Sequence, residues 1–222
     1  MTAYVTGRTL DEDDNPIPGT GFEVAEDSWL DDRIQDRTGP ITSHPTRAVW
    51  GILLTDGEGS IRTLSVFGPG YDGPPAHYHE ASVEVFDVED GSLVMTLDDE
   101  ERTVAAGESA TVQTGVVHSF RNETNERALV TTEIRSPGRL RQVLPTLGGL
   151  AHDRSRDPDN LLQQALIADV LDGNTTFVQG EGLAGSVSTA LTPLANLAGY
   201  QGAYAKYMQP GFWRNHVEQP SV

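Results

Sequence analysis

Short apolar runs alternating with polar residues fill the middle of this chain, and a helical period replaces them toward the C-terminal end. Trp50 to Thr55 and Ile61 to Phe67 are strand-like, and Asp56-Gly57-Glu58-Gly59 between them is a turn signal. Val83-Glu84-Val85-Phe86-Asp87-Val88 alternates in the same manner and ends at Asp90-Gly91. Leu93 to Leu97 follows, then the turn Asp98-Asp99-Glu100, and Ala105-Ala106-Gly107 turns the chain again before Ser109 to Val112. The last strand, Ala128 to Arg135, is stopped by Ser136-Pro137-Gly138. Regularly spaced short strands predict a mainly β fold, a small antiparallel barrel or sandwich.

The flanks differ from this middle part. Residues 1–46 are acidic and turn-rich, with Asp11-Glu12-Asp13-Asp14-Asn15-Pro16 and Gly39-Pro40, and are expected to form an arm or loops over a barrel spanning residues 47–138. Residues 139–222 are expected to be a helical appendage. Asp157-Pro158-Asp159 reads as a helix start, and Leu161, Leu162, Ala165, Leu166 and Val170 follow at helical spacing until Gly173. A second helix is expected from Ser186 to Ala198, with Val187, Ala190, Leu191, Leu194 and Leu197 on one side and a break or kink near Pro193. Such stripes must be covered, by the barrel or by a second copy of the chain. Edge strands need covering too, so a homodimer is expected. There is no internal repeat.

Composition narrows the classes. The 222 residues allow one sizeable domain with an appendage. Fifteen Lys and Arg against 33 Asp and Glu give a net charge of −18, which argues against nucleic acid or an anionic membrane surface as partner. Lys206 is the sole lysine, and an acidic, lysine-poor surface resembles that of proteins from a high-salt cytoplasm. Without cysteine there is no thiolate chemistry, disulfide or cysteine-based zinc site. Met1 to Val5 lacks a charged region followed by an apolar core, and no apolar run approaches about 18 residues, so a soluble cytoplasmic protein is expected.

Candidate chemistry is concentrated in His77-Tyr78-His79, Glu84 and His118. On an extended segment His77 and His79 leave the same face about 6.5 Å apart, close enough to reach one ion. Glu84 opens the next alternating run and His118 comes from a separate hairpin. A lone His-X-His usually lies on a solvated strand. Three imidazoles and a carboxylate converging on an interior are costly to bury without a partner, which points to a metal site. His44, His152 and His216 have no ligand-like neighbours and are expected on the solvated surface.

The stretch from Gly70 to Asn122 resembles the two motifs of the cupin superfamily. His77-X-His79, Glu84 after four residues and Gly91 after six more match the first motif; Gly107, Gly115, His118 and Asn122 match the second. Tyr71 stands where a glycine is usual, flanked by Gly70 and Gly73, and Gln113 stands where a proline is usual; neither removes a ligand. The resemblance implies a single jelly-roll domain, or double-stranded β-helix, of the quercetin dioxygenase-like kind.

One divalent ion, Fe, Mn, Ni, Cu or Zn, is expected on His77, His79, Glu84 and His118, with about two coordination positions open if six-coordinate. In some cupin dioxygenases the glutamate corresponding to Glu84 serves as acid or base, so a catalytic role for Glu84 is implied as well. The expected function is an oxygenase acting on a small enolic or aromatic compound. The alternatives are an oxygen-independent isomerase, epimerase or lyase on a sugar-like or keto substrate, and a non-catalytic small-ligand-binding module. Phe67, Phe86, Met95 and Phe120 are candidates to line a pocket, although core packing is the commoner fate of such residues. Arg62 is a candidate to orient an anionic substrate, against the commoner surface ion pair.

Overall fold

The computed structural model describes residues 2–153, 157, 160–178 and 184–220. The first segment, expected to be an arm or loops, carries ordered elements of its own. Strands β1 (Ala3–Thr6) and β2 (Phe22–Ala25) pair antiparallel. Helix α1 (Trp29–Gln35) begins at Ser28, whose hydroxyl accepts from the Asp31 N–H, and Asp31 and Asp32 place negative charge at its N-terminal end. Seven residues are too few for a helical period to show in the sequence.

Two antiparallel sheets follow. Strands β3 (Thr42–Ser43), β4 (Val49–Asp56), β5 (Ser60–Phe67), β6 (His77–His79), β7 (Val83–Asp90) and β8 (Ser92–Leu97) are succeeded by β9 (Glu100–Ala105), β10 (Ser109–Val112), β11 (His118–Arg121) and β12 (Ala128–Arg135). One sheet has the order β10-β7-β12-β5-β4-β3. The other runs β13-β6-β11-β8-β9, where β13 (Thr175–Phe177) comes from the C-terminal part of the chain. The sheets therefore recruit strands from outside residues 47–138 at both ends. Alternation puts Phe67, Phe86, Val88 and Val130 of the first sheet against Leu93, Met95 and Val104 of the second, and these seven residues are all buried. The result is a mainly β, jelly-roll arrangement with helices attached.

Strand β9 carries little sequence signal of its own. Glu100 to Thr103 are exposed on an edge strand, so only Val104 is left to mark an inward face.

The C-terminal part packs against both the sheets and the N-terminal segment. Helix α2 (Leu140–His152) contains Pro145 and two glycines, which hid it from a propensity reading. Gly149 has a packing reason, since a Cβ there would meet the Tyr207 ring at 2.4 Å. Helix α3 (Leu161–Leu171) starts one turn later than Asp157: Asn160 caps it by accepting from the Leu162 N–H. Pro158 and Asp159 lie outside the described residues.

Helix α4 (Ala184–Leu197) runs through Pro193. The chain itself leaves much of the expected stripe uncovered: Ala190 is exposed, Leu194 and Leu197 are 54 % and 86 % exposed, and Ala195 is buried. The Val187 side chain lies outside the described residues.

The short helix α5 (Pro210–Arg214) inserts Trp213 beside Phe22, Val24, Leu30 and Ile34. Arg8 donates from Nε and Nη2 to the Glu218 carboxylate, tying the two ends of the chain together. Among the described residues no helix is long and apolar enough to cross a membrane.

His152 is not a surface histidine. It ends α2 facing inward, only 7 % exposed, with Nε2 3.0 Å from Ser43 Oγ and its ring edge-on to Trp213. His44 and His216 are half-buried, and His216 stacks on Phe212. Burial, with the nearby His216 and His44, pulls the His152 imidazole down from 6.5 to about 4. Between these values the unfolded chain binds a proton that the folded chain refuses, so stability falls as pH drops from 6.5 toward 4. Urea unfolding is expected to show a loss of about 2 kcal/mol from this group between pH 7 and pH 5, absent from His152→Gln.

Candidate metal centre

The approach to the first ligand strand is built by a tight loop. Gly73 has φ +72°, and a Cβ there would sit 1.6 Å from the Phe120 carbonyl oxygen, so this residue is where the loop crosses β11. Pro74 and Pro75 stiffen the chain after it. Strand β6 then projects His77 and His79 inward on either side of the half-buried Tyr78, as the two-residue period requires. His118 opens β11 directly opposite His77 in the same sheet. Glu84 reaches in from β7, in the facing sheet, one period before Phe86.

The structure brings all four together. His77, His79, Glu84 and His118 are buried, and each offers a ligand atom such that these atoms lie within 4.8 Å of one another. Glu84 Oε2 is 3.2 Å from His118 Nε2, and Glu84 Oε1 is 3.3 Å from His79 Nε2. His77 is the most exposed of the four, at 7 %.

The outer nitrogens decide what the inner ones can do. The Nδ1 atoms of His77 and His118 face the carbonyls of Pro75 at 2.8 Å and Val116 at 3.2 Å. A carbonyl only accepts, so both Nδ1 atoms carry hydrogen and both Nε2 atoms are left with a lone pair unless the ring is doubly protonated. Burial and the nearby His118 pull the His77 imidazole down to about 4, which keeps it neutral at pH 7. His79 Nε2 is buried and makes no hydrogen bond among the described residues. Burial alone would raise the Glu84 carboxyl, and contact with His118 and His79 holds it down, at about 2, only where those imidazoles donate a proton to it. An anion faces inward-pointing imidazole nitrogens in a dry interior. A divalent cation is the partner that satisfies all of them at once, and imidazole with carboxylate suits several first-row ions.

The remaining candidates lie elsewhere. Phe67, Phe86 and Met95 are buried in the core between the sheets; the Phe120 ring, half-buried, packs 5.4 Å from Phe67 and 5.2 Å from Phe86. Arg62 is exposed and pairs with Asp87 at 4.0 Å, on the face of β7 opposite Glu84 and Phe86.

Residues not singled out from sequence also reach the site: Thr175 Oγ1 is 2.9 Å from His79 Nδ1, and the Phe177 ring is 5.7 Å from that of His77. Their one signal is the β-branched and aromatic run Thr175-Thr176-Phe177-Val178 after Gly173.

Residues 63–134, which contain all four candidate ligands, match the family described as Cupin domain. The match identifies a cupin domain within the chain, over 72 of its 222 residues. Solved structures similar to part of it include a cupin-superfamily sugar phosphate isomerase from Silicibacter pomeroyi, at 23 % identity over 44 % of this chain and 69 % of that one, TM-score 0.38. An RmlC-like cupin from Shewanella frigidimarina is 17 % identical over 45 % and 85 %, with TM-score 0.40. The Cnp3 cupin domain of Schizosaccharomyces pombe is 11 % identical over 59 % and 86 %, also with TM-score 0.40. Comparison with curated proteins gives no match.

Elemental analysis of protein purified in high salt without chelator is expected to find one transition-metal ion per chain. Glu84→Ala and His118→Ala are each expected to weaken binding by more than about 100-fold. A full metal complement in both variants would remove the site.

Proposed function

We propose that the chain is a mononuclear metal-dependent oxygenase acting on a small enolic or aromatic compound. The observation that supports this most is the convergence of three imidazoles and one carboxylate, all buried, on one point between the sheets. A redox-active divalent ion held by His77, His79, Glu84 and His118 would supply the chemistry that activates dioxygen toward a chelating substrate. The protein contributes orientation and dryness. The half-buried Phe177 ring, 5.7 Å from that of His77, offers an apolar surface to a flat substrate. As a carboxylate, Glu84 suits a ligand first. For it to accept a substrate proton, as the cupin resemblance implies, its contacts with His79 and His118 must loosen.

Those same contacts also suit proton transfer on a keto or sugar-like substrate without oxygen, and the metal dependence separates the two reactions. Oxygen-electrode assays over a panel of enolic and aromatic compounds are expected to show uptake with Fe, Mn, Ni or Cu that Glu84→Ala abolishes. Turnover that persists anaerobically with zinc would replace the oxygenase by an isomerase or lyase.

A homodimer belongs to the same proposal. Leu161 of α3 and Leu194 and Leu197 of α4, two helices packed together, are 62 %, 54 % and 86 % exposed and are apolar surface available to a second copy. Sedimentation in high salt is expected to give twice the chain mass; a mass near 24.0 kDa would exclude the dimer.

A further inference from the structure

We propose that Thr175, backed by Asn174 and Ser82, is a positioning residue that locks His79 in its Nδ1–H tautomer, so that the metal centre is completed by chain beyond the cupin domain. The proposal rests on the metal reading of the four ligands but on no particular reaction.

The direction of each hydrogen bond follows from one fixed end. The Ser136 carbonyl can only accept, and Ser82 Oγ lies 2.8 Å from it, so Ser82 spends its single proton there. Ser82 Oγ must then accept from Asn174 Nδ2 at 3.1 Å, which sets the orientation of the amide. Turning the amide over would ask Ser82 to donate two protons from one hydroxyl. With Nδ2 toward Ser82, Asn174 Oδ1 faces Thr175 Oγ1 at 3.0 Å and takes the threonine proton. Thr175 Oγ1 is left to accept from His79 Nδ1 at 2.9 Å. His79 therefore carries its hydrogen on Nδ1, and the unpartnered Nε2 turns a lone pair toward Glu84. Ser82, Asn174, Thr175 and His79 are all buried, so water does not compete for these bonds.

The backbone holds the relay in register. Strand β13 pairs with β6 so that Thr175 lies opposite His79, and the Glu80 N–H donates to the Asn174 carbonyl at 2.8 Å. Ser136 itself adopts φ 54°, a conformation a serine takes at some cost. The contrast with the other two imidazoles is chemical. His77 and His118 each use a carbonyl two residues upstream, inside the matched domain. His79 depends on a side chain 96 residues away.

The test reads the tautomer directly, in metal-free protein labelled with 15N-histidine, at pH 8. The His79 ring, assigned by its loss in His79→Gln, is expected to show a protonated Nδ1 and an unprotonated Nε2 in the wild type. Thr175→Val keeps the shape and removes the acceptor; it is expected to lose this pattern and to bind Zn²⁺ 10- to 100-fold more weakly, on the scale of other outer-shell changes. Thr175→Ser is expected to restore both within about threefold. A proton on Nε2 of His79 in the wild type would overturn the proposal, and so would undiminished zinc affinity in a folded Thr175→Val. Because the tautomer is read without metal or substrate, failure of the oxygenase reading leaves the result standing.

Discussion

Glu84 crossing from one sheet to meet the histidines of the other is the contact on which the site depends. An uncompensated carboxylate in a protein interior costs several kcal/mol even after relaxation, more than most single packing contacts return. Here the groups that face it are His79 Nε2 and His118 Nε2, each within 3.3 Å. Yet the Nδ1 hydrogen of His118 is already committed to the Val116 carbonyl, so it can donate to Glu84 only as an imidazolium. A dication resolves the conflict without protons, which is why the donor set reads as a metal centre and not as a buried polar network satisfied by itself.

The domain that carries the ligands is not self-contained. Its five-stranded sheet ends in β13, contributed after α3, and its six-stranded sheet ends in β3, contributed before residue 47. The outer layers share a core in turn: Trp213 from the C-terminal part lies among Phe22, Val24, Leu30 and Ile34 from the N-terminal part. The Arg8–Glu218 pair and the reciprocal bonds between Ile41 and the Gln219 side chain close that layer. Changes far along the chain from the histidines therefore act on the sheet that holds them.

Legibility followed periodicity. Strands with an inward apolar face, such as Ala128–Arg135, stood out because alternation and burial coincide there. His77 and His79 were legible as a pair through the same two-residue period. Glu84 and His118 joined them as residue types suited to the same ion, and the spacing of the cupin motifs supported that set, since no local rule brings β7 and β11 to β6. Failures came where long-range packing overrode local signals. Pro145 and two glycines give α2 a low helix propensity, but Gly149 is what lets Tyr207 lie on it. His152 looked solvated beside charged neighbours, and only the fold sets it between Ser43 and Trp213. The relay through Asn174 and Thr175 had no sequence signal beyond a short β-branched run, since its meaning lies in a register across 96 residues.

The most direct test of the centre is X-ray absorption at the zinc edge of the zinc-loaded protein. A nitrogen and oxygen first shell at about 2.0–2.2 Å is expected, with outer-shell scattering from three imidazoles that falls to two in His79→Ala. A first shell without imidazole scattering, or one unchanged by His79→Ala, would contradict it.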